Sequence, residues 1–294
     1  MKIIVSGSLG NISQPLTKEL VQKGHTVTVI SSNPEKQKDI EALGATAAIG
    51  SLQDTDFITA TFSGADSVYC MIPPNHFFAE DPMGYFIGTA DNYAQAIKKS
   101  GVRRVVLLSS YGADKEKGTG LIVGAHNAEK VFAEIPGINL TIIRPTYFYY
   151  NLFGFVNKIR QEGVIAANYG GDKVVMVSPV DIAAVIAEEL TSADSHNKIR
   201  YVASDEPTGN EIARTLGEAI GRPDLKWVII SDEEMFKHYT TLGLPANIAE
   251  GLVEMFASLR TGVMDEDFHR NRPAFGNVKI EDFAKDFAKV YPQM

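Results

Sequence analysis

The stretch that decides the fold is "KIIVSGSLGNISQPLTKELVQKG", residues 2–24. It opens with a short, almost wholly apolar run, as expected for a parallel strand covered on both faces. A turn with two glycines follows, and then a helical stretch in which Leu16, Leu20 and Val21 form an apolar stripe before Gly24. This order of strand, glycine turn and helix predicts a nucleotide-binding βα unit.

The same alternation continues over the first two hundred residues. The candidate strands are "KIIVS", "HTVTVI", "ATAAI", "DSVYCM", "RRVVLLSS", "NLTIIRP" and "IRYVAS", with helical stretches between most of them. Such alternation implies right-handed βαβ crossovers. We therefore predict an α/β fold with a Rossmann-type, doubly wound parallel sheet.

A second region is expected after about residue 150, where the pattern loosens. From residue 204 onward the sequence is mainly helical, with one strand-like run at "KWVIIS". We predict a Rossmann domain of residues 1–150 plus about 178–203. A smaller, mainly helical substrate lobe would comprise about 151–177 plus 204–294 and lie over the carboxyl edge of the sheet, where ligands of open α/β sheets bind.

The composition limits the function classes. The chain has 294 residues and a net charge of -8, which argues against a nucleic-acid-binding protein because phosphate binding needs a basic face. One cysteine, Cys70, excludes an internal disulfide and a cysteine-based zinc cluster, and the six histidines lack metal-site spacing. We expect a cytoplasmic protein with no metal and no membrane span, a monomer or homodimer, acting on a small-molecule substrate.

The glycine turn "VSGSLGNIS" has the features of a pyrophosphate site. Gly7 and Gly10 can supply the tight turn and the close approach of the backbone to a pyrophosphate at the helix N-terminus. Ser13 stands where a third glycine is usual, and it is small enough to allow close packing of helix and strand.

The end of the second strand favours NADP(H) over NAD(H). An NAD site usually has an acid here to hold the ribose 2′-hydroxyl, and "VTVISSNPEKQK" has none at its strand end. Asn33 can cap the next helix. Ser31, Ser32, free backbone N–H groups and Lys36 then become partners for a 2′-phosphate, the alternative being a solvated surface loop.

Five motifs in order, "GSLGNIS", "SSNPEK", "HNAEK", "IIRPTYFYYNL" and "VSPVDIAAV", resemble the NmrA-like group of atypical short-chain dehydrogenases, close to the extended class. The resemblance spans nearly the whole chain. It implies a Rossmann lobe, NAD(P) binding and a cap lobe that forms the substrate pocket. The group often has an arginine after the second strand, where this chain has Ser31, Ser32 and Asn33.

The resemblance also implies which residues contact the cofactor. The glycine loop would hold the pyrophosphate, residues 50–54 would lie near the adenine, and the ends of the later strands would lie near the ribose and nicotinamide. The residues concerned are Gly7, Leu9, Gly10, Asn11 and Ile12 in the loop, Ser51 and Leu52 near the adenine, and Met71, Ile72, Pro73, Ser109 and Pro145 at the strand ends.

The helix "GAHNAEKVF", residues 124–132, stands where short-chain dehydrogenases carry Tyr-x-x-x-Lys. The spacing remains, with His126 in the tyrosine position and Lys130 in the lysine position, and residues four apart share a helix face. The resemblance implies that Lys130 binds the nicotinamide ribose. His126 is a candidate proton donor or hydrogen-bond donor to substrate, or else a partly buried histidine bonded to a backbone carbonyl. Tyr111, after the fifth strand, is another candidate proton donor.

An aromatic run, "TYFYYNLF", follows the sixth strand. Such a run is more often internal packing than a substrate platform, but it would suit a flat conjugated acceptor such as a quinone. The candidate substrate-binding residues are Tyr147, Phe148, Tyr149 and Phe153, together with His76 in "PPNHFF" after the fourth strand.

Three functions remain open from the sequence. The first is an NADP(H)-dependent oxidoreductase of a small, quinone-like conjugated acceptor, a substrate class that needs little acid catalysis. The second is a non-catalytic NAD(P)-sensing regulator that binds a partner protein, since the group contains such regulators. The third is a nucleotide-sugar epimerase-like enzyme, which usually requires the tyrosine that is absent here.

Overall fold

The parallel sheet predicted from the sequence is present in the computed structural model, which describes residues 1–73, 81–194 and 196–292. The strands are, in chain order, β1 (Lys2–Val5), β2 (Thr26–Ser31), β3 (Thr46–Ile49), β4 (Ser67–Cys70), β5 (Arg104–Leu108), β6 (Asn139–Pro145), β7 (Tyr147–Phe148), β8 (Val164–Ala167), β9 (Met176–Val177), β10 (Lys198–Val202) and β11 (Lys226–Ile229). Over the described residues, one sheet has the seven-strand order β10-β6-β5-β4-β1-β2-β3. All seven strands expected in this sheet are confirmed.

The order of the strands fixes where a ligand can bind. β1 pairs in parallel with β2 on one side and with β4 on the other, so the direction of winding changes between β1 and β4. β2–β3, β4–β5 and β5–β6 are also parallel pairs. The carboxyl ends of these strands therefore lie at one edge of the sheet, and the switch point beside β1 is where such sheets bind nucleotides.

Helices connect the strands and follow them to the end of the chain. They are α1 (Ser13–Gln22), α2 (Gln37–Ala42), α3 (Thr55–Phe62), α4 (Pro82–Ser100), α5 (Val123–Ala133), α6 (Val156–Glu162), α7 (Pro179–Thr191), α8 (Gly209–Ala219), α9 (Asp232–Thr241), α10 (Ala246–Thr261), α11 (Asp265–Arg270) and α12 (Ile280–Val290). Leu16 and Leu20 of the predicted apolar stripe on α1 are fully buried. No helix among the described residues is long and apolar enough to cross a membrane.

The core of the sheet explains the apolar runs in the sequence. Side chains of β1, β4 and β5 pack with those of α3, α4 and α5 in one buried cluster. Tyr93 belongs to this cluster, and its ring centroid lies 6.1 Å from those of both Phe62 and Phe132. Cys70 is fully buried in this cluster, and burial raises the pKa of its thiol well above the usual value. Cys70, the last residue of β4, is thus a core residue.

The chain divides into two compact units of nearly equal length. Unit 1 comprises Met1–Ser110, Gly124–Arg144 and Ile182–Arg200, and unit 2 comprises Tyr111–Val123, Pro145–Asp181 and Tyr201–Met294. The boundaries predicted from the sequence fall after residues 150, 177 and 203, and residues 111–123 were expected in the first region. In the structure this segment packs on α10, where a Cβ atom on Gly120 would lie 1.9 Å from the Gly251 carbonyl oxygen.

Unit 2 is mainly helical, with two short parallel strand pairs, β7–β9 and β8–β11. The predicted strand at "KWVIIS" is confirmed as β11. Its Trp227 indole N–H donates to the Tyr169 carbonyl at 2.7 Å. Trp227 belongs to a buried cluster that also contains Phe283 and Phe287 of α12, so unit 2 has a core of its own.

Candidate nucleotide-binding site

The turn after β1 has a backbone that requires glycine. Gly7 has φ +91° and Ser8 has φ +53°, and the Gly10 N–H donates to the Gly7 carbonyl at 3.1 Å. A Cβ atom on Gly7 would lie 2.7 Å from Ser13 Oγ and 3.0 Å from Met71 Cγ. Gly7 thus supplies both a left-handed conformation and a close approach that a larger residue would prevent.

Two buried serines hold this turn against the sheet. Ser13 Oγ donates to the Ser6 carbonyl at 2.8 Å, so the residue in the third-glycine position is small and its buried hydroxyl proton has a partner. Ser6 Oγ accepts a hydrogen bond from the Met71 N–H at 2.9 Å. These bonds connect the turn to the ends of β1 and β4, the two strands at the switch point, and they fix the loop where a dinucleotide would lie.

The N-terminus of α1 is open to an anion. Ile12 at its cap position provides no side-chain hydrogen bond, and the described first turn contains no acidic residue. Gly10 and Asn11 are exposed and Leu9 is half-buried. The N-terminal N–H groups and the positive end of the helix dipole therefore favour binding of a phosphate group here.

The end of β2 lies beside this turn. Ser31 Oγ accepts hydrogen bonds from Ser8 Oγ at 2.9 Å and from the Asn33 N–H at 3.2 Å, so the buried Ser31 connects the two loops. Asn33 caps the 3₁₀ turn Pro34–Lys36 by accepting from the Glu35 N–H, which confirms the predicted cap. Ser32 is exposed.

Lys36 is the cation nearest in sequence to this strand end. Its Nζ atom lies 3.2 Å from Asp39 Oδ2, and both side chains are about half exposed. Exposed pairs of this kind contribute little to stability, so Lys36 can exchange Asp39 for a ligand at small cost.

The segment after β3 is held next to β2. The Gly50 N–H donates to the Ser31 carbonyl at 3.0 Å. Ser51 Oγ accepts from the Gln53 N–H at 3.1 Å, and the Leu52 carbonyl accepts from Asn92 Nδ2 at 3.1 Å. The positions predicted to lie near an adenine are thus fixed by hydrogen bonds at the carboxyl edge of the sheet.

Beyond β4 the chain continues along the same edge. The Met71 carbonyl accepts from the Tyr93 hydroxyl at 3.0 Å, and Ile72 is buried. Pro73 is the last residue of the first described range. The candidate substrate residue His76 lies outside the described residues.

A buried network lies at the end of β5. Ser109 Oγ donates to Glu129 Oε1 of α5. Arg144 of β6 binds the same carboxylate through two N–H groups, with Nε–Oε1 and Nη2–Oε2 distances of 2.9 and 2.7 Å. All three residues are less than 10% exposed. Ser109 is one of the predicted residues, whereas Glu129 and Arg144 are not, although an arginine within "NLTIIRP" indicates a buried charge that needs a partner.

The helix α5 also carries the pair predicted from the Tyr-x-x-x-Lys spacing. His126 is half-buried and Lys130 is exposed, one helical turn apart. Glu129 is the neighbour of Lys130 in sequence. Its ion pair with Arg144 therefore anchors to β6 the part of α5 that carries His126 and Lys130.

Tyr111 belongs to unit 2. Its hydroxyl donates to the Asp265 carboxylate, and its ring makes edge contacts with Tyr201 and Phe268. Burial, together with Asp265, raises its pKa well above the ordinary value. Its backbone N–H donates to the carbonyl of Pro145, another predicted contact residue, at 3.0 Å.

The aromatic run of unit 2 contains both core and partly exposed rings. Tyr149 is buried with its ring stacked 5.4 Å from that of Phe283, and Phe153 stacks at the same distance on Phe287. Tyr147 and Phe148 remain half-buried. Phe153 is half-buried as well, so of these four predicted residues Tyr149 is the one that lies wholly within the core.

Side chains suited to metal binding do not cluster in the described part of the chain, where no group of three His, Cys, Asp or Glu residues could hold an ion.

The switch-point glycine turn and the strand order define a Rossmann-type, NAD(P)-binding protein. The chain belongs to the NmrA-like family, whose model matches residues 1–288. Among curated relatives, the NAD(P)H azoreductase of Xenophilus azovorans is 26% identical over 258 residues, which cover 87% of this chain and 86% of the relative.

Two solved structures share the fold over almost all of the chain. An NADPH-dependent quinone oxidoreductase of Escherichia coli, complexed with NADPH, matches with a TM-score of 0.83 and 20% identity over 97% of this chain and 99% of its own. A nucleoside-diphosphate-sugar epimerase of Staphylococcus aureus matches with a TM-score of 0.80 and 18% identity over 97% of this chain and 100% of its own.

Proposed function

We propose that this protein is an NAD(P)H-dependent oxidoreductase that reduces a small conjugated acceptor of the quinone or azo-dye type. The glycine turn at the switch point, in a chain of the NmrA-like family, is the observation that carries the proposal. The azoreductase relative supports the reaction type. Fold similarity alone does not separate reductases from epimerases, but the replacement of the expected tyrosine by His126 favours a reductase whose substrate needs little acid catalysis.

The cofactor would bind across the carboxyl edge of the sheet in unit 1. Its pyrophosphate would occupy the N-terminus of α1, near Gly10 and Asn11. In this fold the ribose of the adenosine half is recognised at the end of β2. The nicotinamide half would then extend to the other side of β1, towards Met71 after β4 and Ser109 after β5.

NADPH is the proposed form of the cofactor. No acid stands at the end of β2 to hold a ribose 2′-hydroxyl, and Ser32 is exposed there. Lys36 is available to a 2′-phosphate because its pair with Asp39 is a weak surface pair. Charge-assisted hydrogen bonds to such a phosphate are worth roughly 1.5–3 kcal/mol, which would favour NADPH over NADH about ten- to a hundredfold in affinity.

NADPH, when bound, supplies the hydride. Lys130 is proposed to bind the nicotinamide ribose, and the half-buried rings of Tyr147, Phe148 and Phe153 are the proposed stacking surfaces for the acceptor. His126 or solvent would provide the proton. Tyr111 is the weaker candidate because its hydroxyl is engaged with Asp265 and its raised pKa makes it a poor acid.

Calorimetric titration of the purified chain with NADPH, NADP⁺, NADH and NAD⁺ tests the first half of this proposal. NADPH should bind more tightly than NADP⁺ and NADH. When quinones or azo dyes are added to the protein with NADPH, the absorbance of NADPH should then fall as it is oxidised. Lys130→Ala should weaken binding and turnover. Intact binding and turnover in that variant would contradict the role given to Lys130.

A nucleotide-sensing regulator is the second candidate, favoured by the histidine in the tyrosine position. For such a protein we expect tight nucleotide binding without preference for the reduced form, and no turnover with any acceptor of the panel.

A further inference from the structure

The direction of one hydrogen bond determines what Ser109 can do for a ligand. A serine hydroxyl has one proton and two lone pairs. In this structure the proton points to Glu129 Oε1. The Glu129 carboxylate, paired with Arg144 through two N–H groups, is an acceptor only and cannot return a proton to Ser109. The hydroxyl oxygen of Ser109 therefore has only lone pairs left for a ligand.

This excludes Ser109 as a donor to a substrate carbonyl while its proton is donated to Glu129. The ligand group that meets Ser109 must itself carry an N–H or O–H proton. A quinone or azo group has acceptor atoms only. The nicotinamide half of the cofactor, which extends towards β4 and β5, carries two kinds of donor, the N–H₂ of the carboxamide and the O–H groups of the ribose. The ribose is assigned to Lys130, so the carboxamide is the donor left for Ser109.

We propose that the Ser109 hydroxyl accepts a hydrogen bond from the carboxamide N–H of the bound nicotinamide, and that Glu129 and Arg144 are positioning residues that fix its orientation. This inference rests on the proposed NAD(P)H-binding function. It assigns the buried ion pair a part in cofactor selection in addition to its part in anchoring α5 to β6.

The test uses a cofactor analogue in which an acetyl group replaces the carboxamide, so that the carbonyl stays and the N–H donor is lost. The quantity measured is the ratio of the dissociation constant of the reduced phosphorylated analogue to that of NADPH. In Ser109→Ala this ratio should fall by about fivefold relative to the wild type, the factor expected for one hydrogen bond between neutral groups.

Ser67→Ala is the matched control. Ser67 is a fully buried serine at the beginning of β4, at the opposite edge of the sheet, and its hydroxyl has no partner among the described residues. The same substitution there should leave the ratio unchanged. Any change in Ser67→Ala as large as that in Ser109→Ala would overturn the inference.

Glu129→Gln tests the orientation itself. A glutamine amide can donate to the Ser109 oxygen, which allows the serine O–H to turn towards the ligand. There it would face the carboxamide N–H, and two donors cannot form a hydrogen bond with each other. The ratio should fall at least as far as in Ser109→Ala. A merely structural role would lower the melting temperature and leave the ratio unchanged, and Ser109→Ala decides the matter where Glu129→Gln does not fold.

The outcomes separate this inference from the function on which it rests. Binding of NADPH by the wild type with an unchanged ratio in folded Ser109→Ala overturns only the role of Ser109. Failure of the wild type to bind any of the four natural nucleotides overturns the proposed function as well.

Discussion

Replacing Lys36 by alanine tests the proposed preference for NADPH. A charge-assisted bond from Lys36 to the 2′-phosphate would be worth roughly 1.5–3 kcal/mol. Binding the phosphate also breaks the Lys36–Asp39 pair, which is exposed and contributes about 0.5 kcal/mol, so this amount is subtracted. The net loss of about 1–2.5 kcal/mol predicts that Lys36→Ala binds NADPH about five- to seventyfold more weakly. NADH affinity should not change.

The assay is calorimetric titration with NADPH and NADH at low ionic strength, repeated with added salt, since screening should reduce the difference. Lys38→Ala is the control, because it removes the same charge from another exposed lysine, two residues away. Asp39→Asn removes the competitor for Lys36 and should raise NADPH affinity about twofold. An equal loss of NADPH and NADH affinity in Lys36→Ala, or equal losses in the two lysine variants, would refute the assignment of Lys36 to the 2′-phosphate.

Three further predictions concern the glycine turn and unit 2. Gly7→Ala should lower the free energy of unfolding by about 1–2 kcal/mol, because of its positive φ, and should abolish measurable NADPH binding in the same titration. Tyr111→Phe should lower the unfolding free energy by about 1 kcal/mol through loss of its bond to Asp265, while kcat with a quinone stays within about twofold; a loss above about tenfold would restore Tyr111 as proton donor. Asp232→Asn should cost roughly 0.5 kcal/mol near neutral pH in chemical denaturation. The Arg260 guanidinium lowers the pKa of the Asp232 carboxyl in the folded protein. The stabilisation by this pair is therefore present above the unfolded pKa of Asp232 and is lost as the pH falls through its lowered folded pKa. The difference in unfolding free energy between the wild type and Asp232→Asn should vanish there.

The sheet could be predicted from the sequence because its strands are buried on both faces. Runs such as "KIIVS" and "DSVYC" are apolar almost throughout, and this pattern depends on the strand itself rather than on distant partners. The short strands β7, β8 and β9 were not assigned residue by residue. Strands of two to four residues in an irregular region depend on their neighbours and carry little periodicity of their own.

The glycine turn could also be predicted, since its geometry restricts the residue type locally. Gly7 needs a positive φ and a close approach to Ser13, and both requirements can be read from residues that are near in sequence. The Glu129–Arg144 pair could not be assigned in this way. Its partners lie on α5 and β6, and only the packing of that helix on that strand shows that the two charges meet.

The orientation of Ser109 and the replacement of tyrosine by His126 lead to the same substrate class. A simple ketone needs a donor at its oxygen while the hydride arrives, because the alkoxide that forms is strongly basic. Ser109 directs its proton to Glu129 and cannot supply that donor. A quinone delocalises the new negative charge over its ring and depends much less on a positioned acid.

General acid catalysis typically contributes 10²–10⁴-fold to a rate. We therefore expect kcat/KM for quinones to exceed that for aliphatic ketones of similar size by at least about 10²-fold, measured with NADPH under identical conditions. Comparable values for the two acceptors would mean that a proton donor acts at the substrate oxygen. His126→Gln, which keeps a hydrogen-bond donor but cannot supply a proton near neutral pH, would then show whether that donor is His126: ketone reduction would be lost and quinone reduction retained.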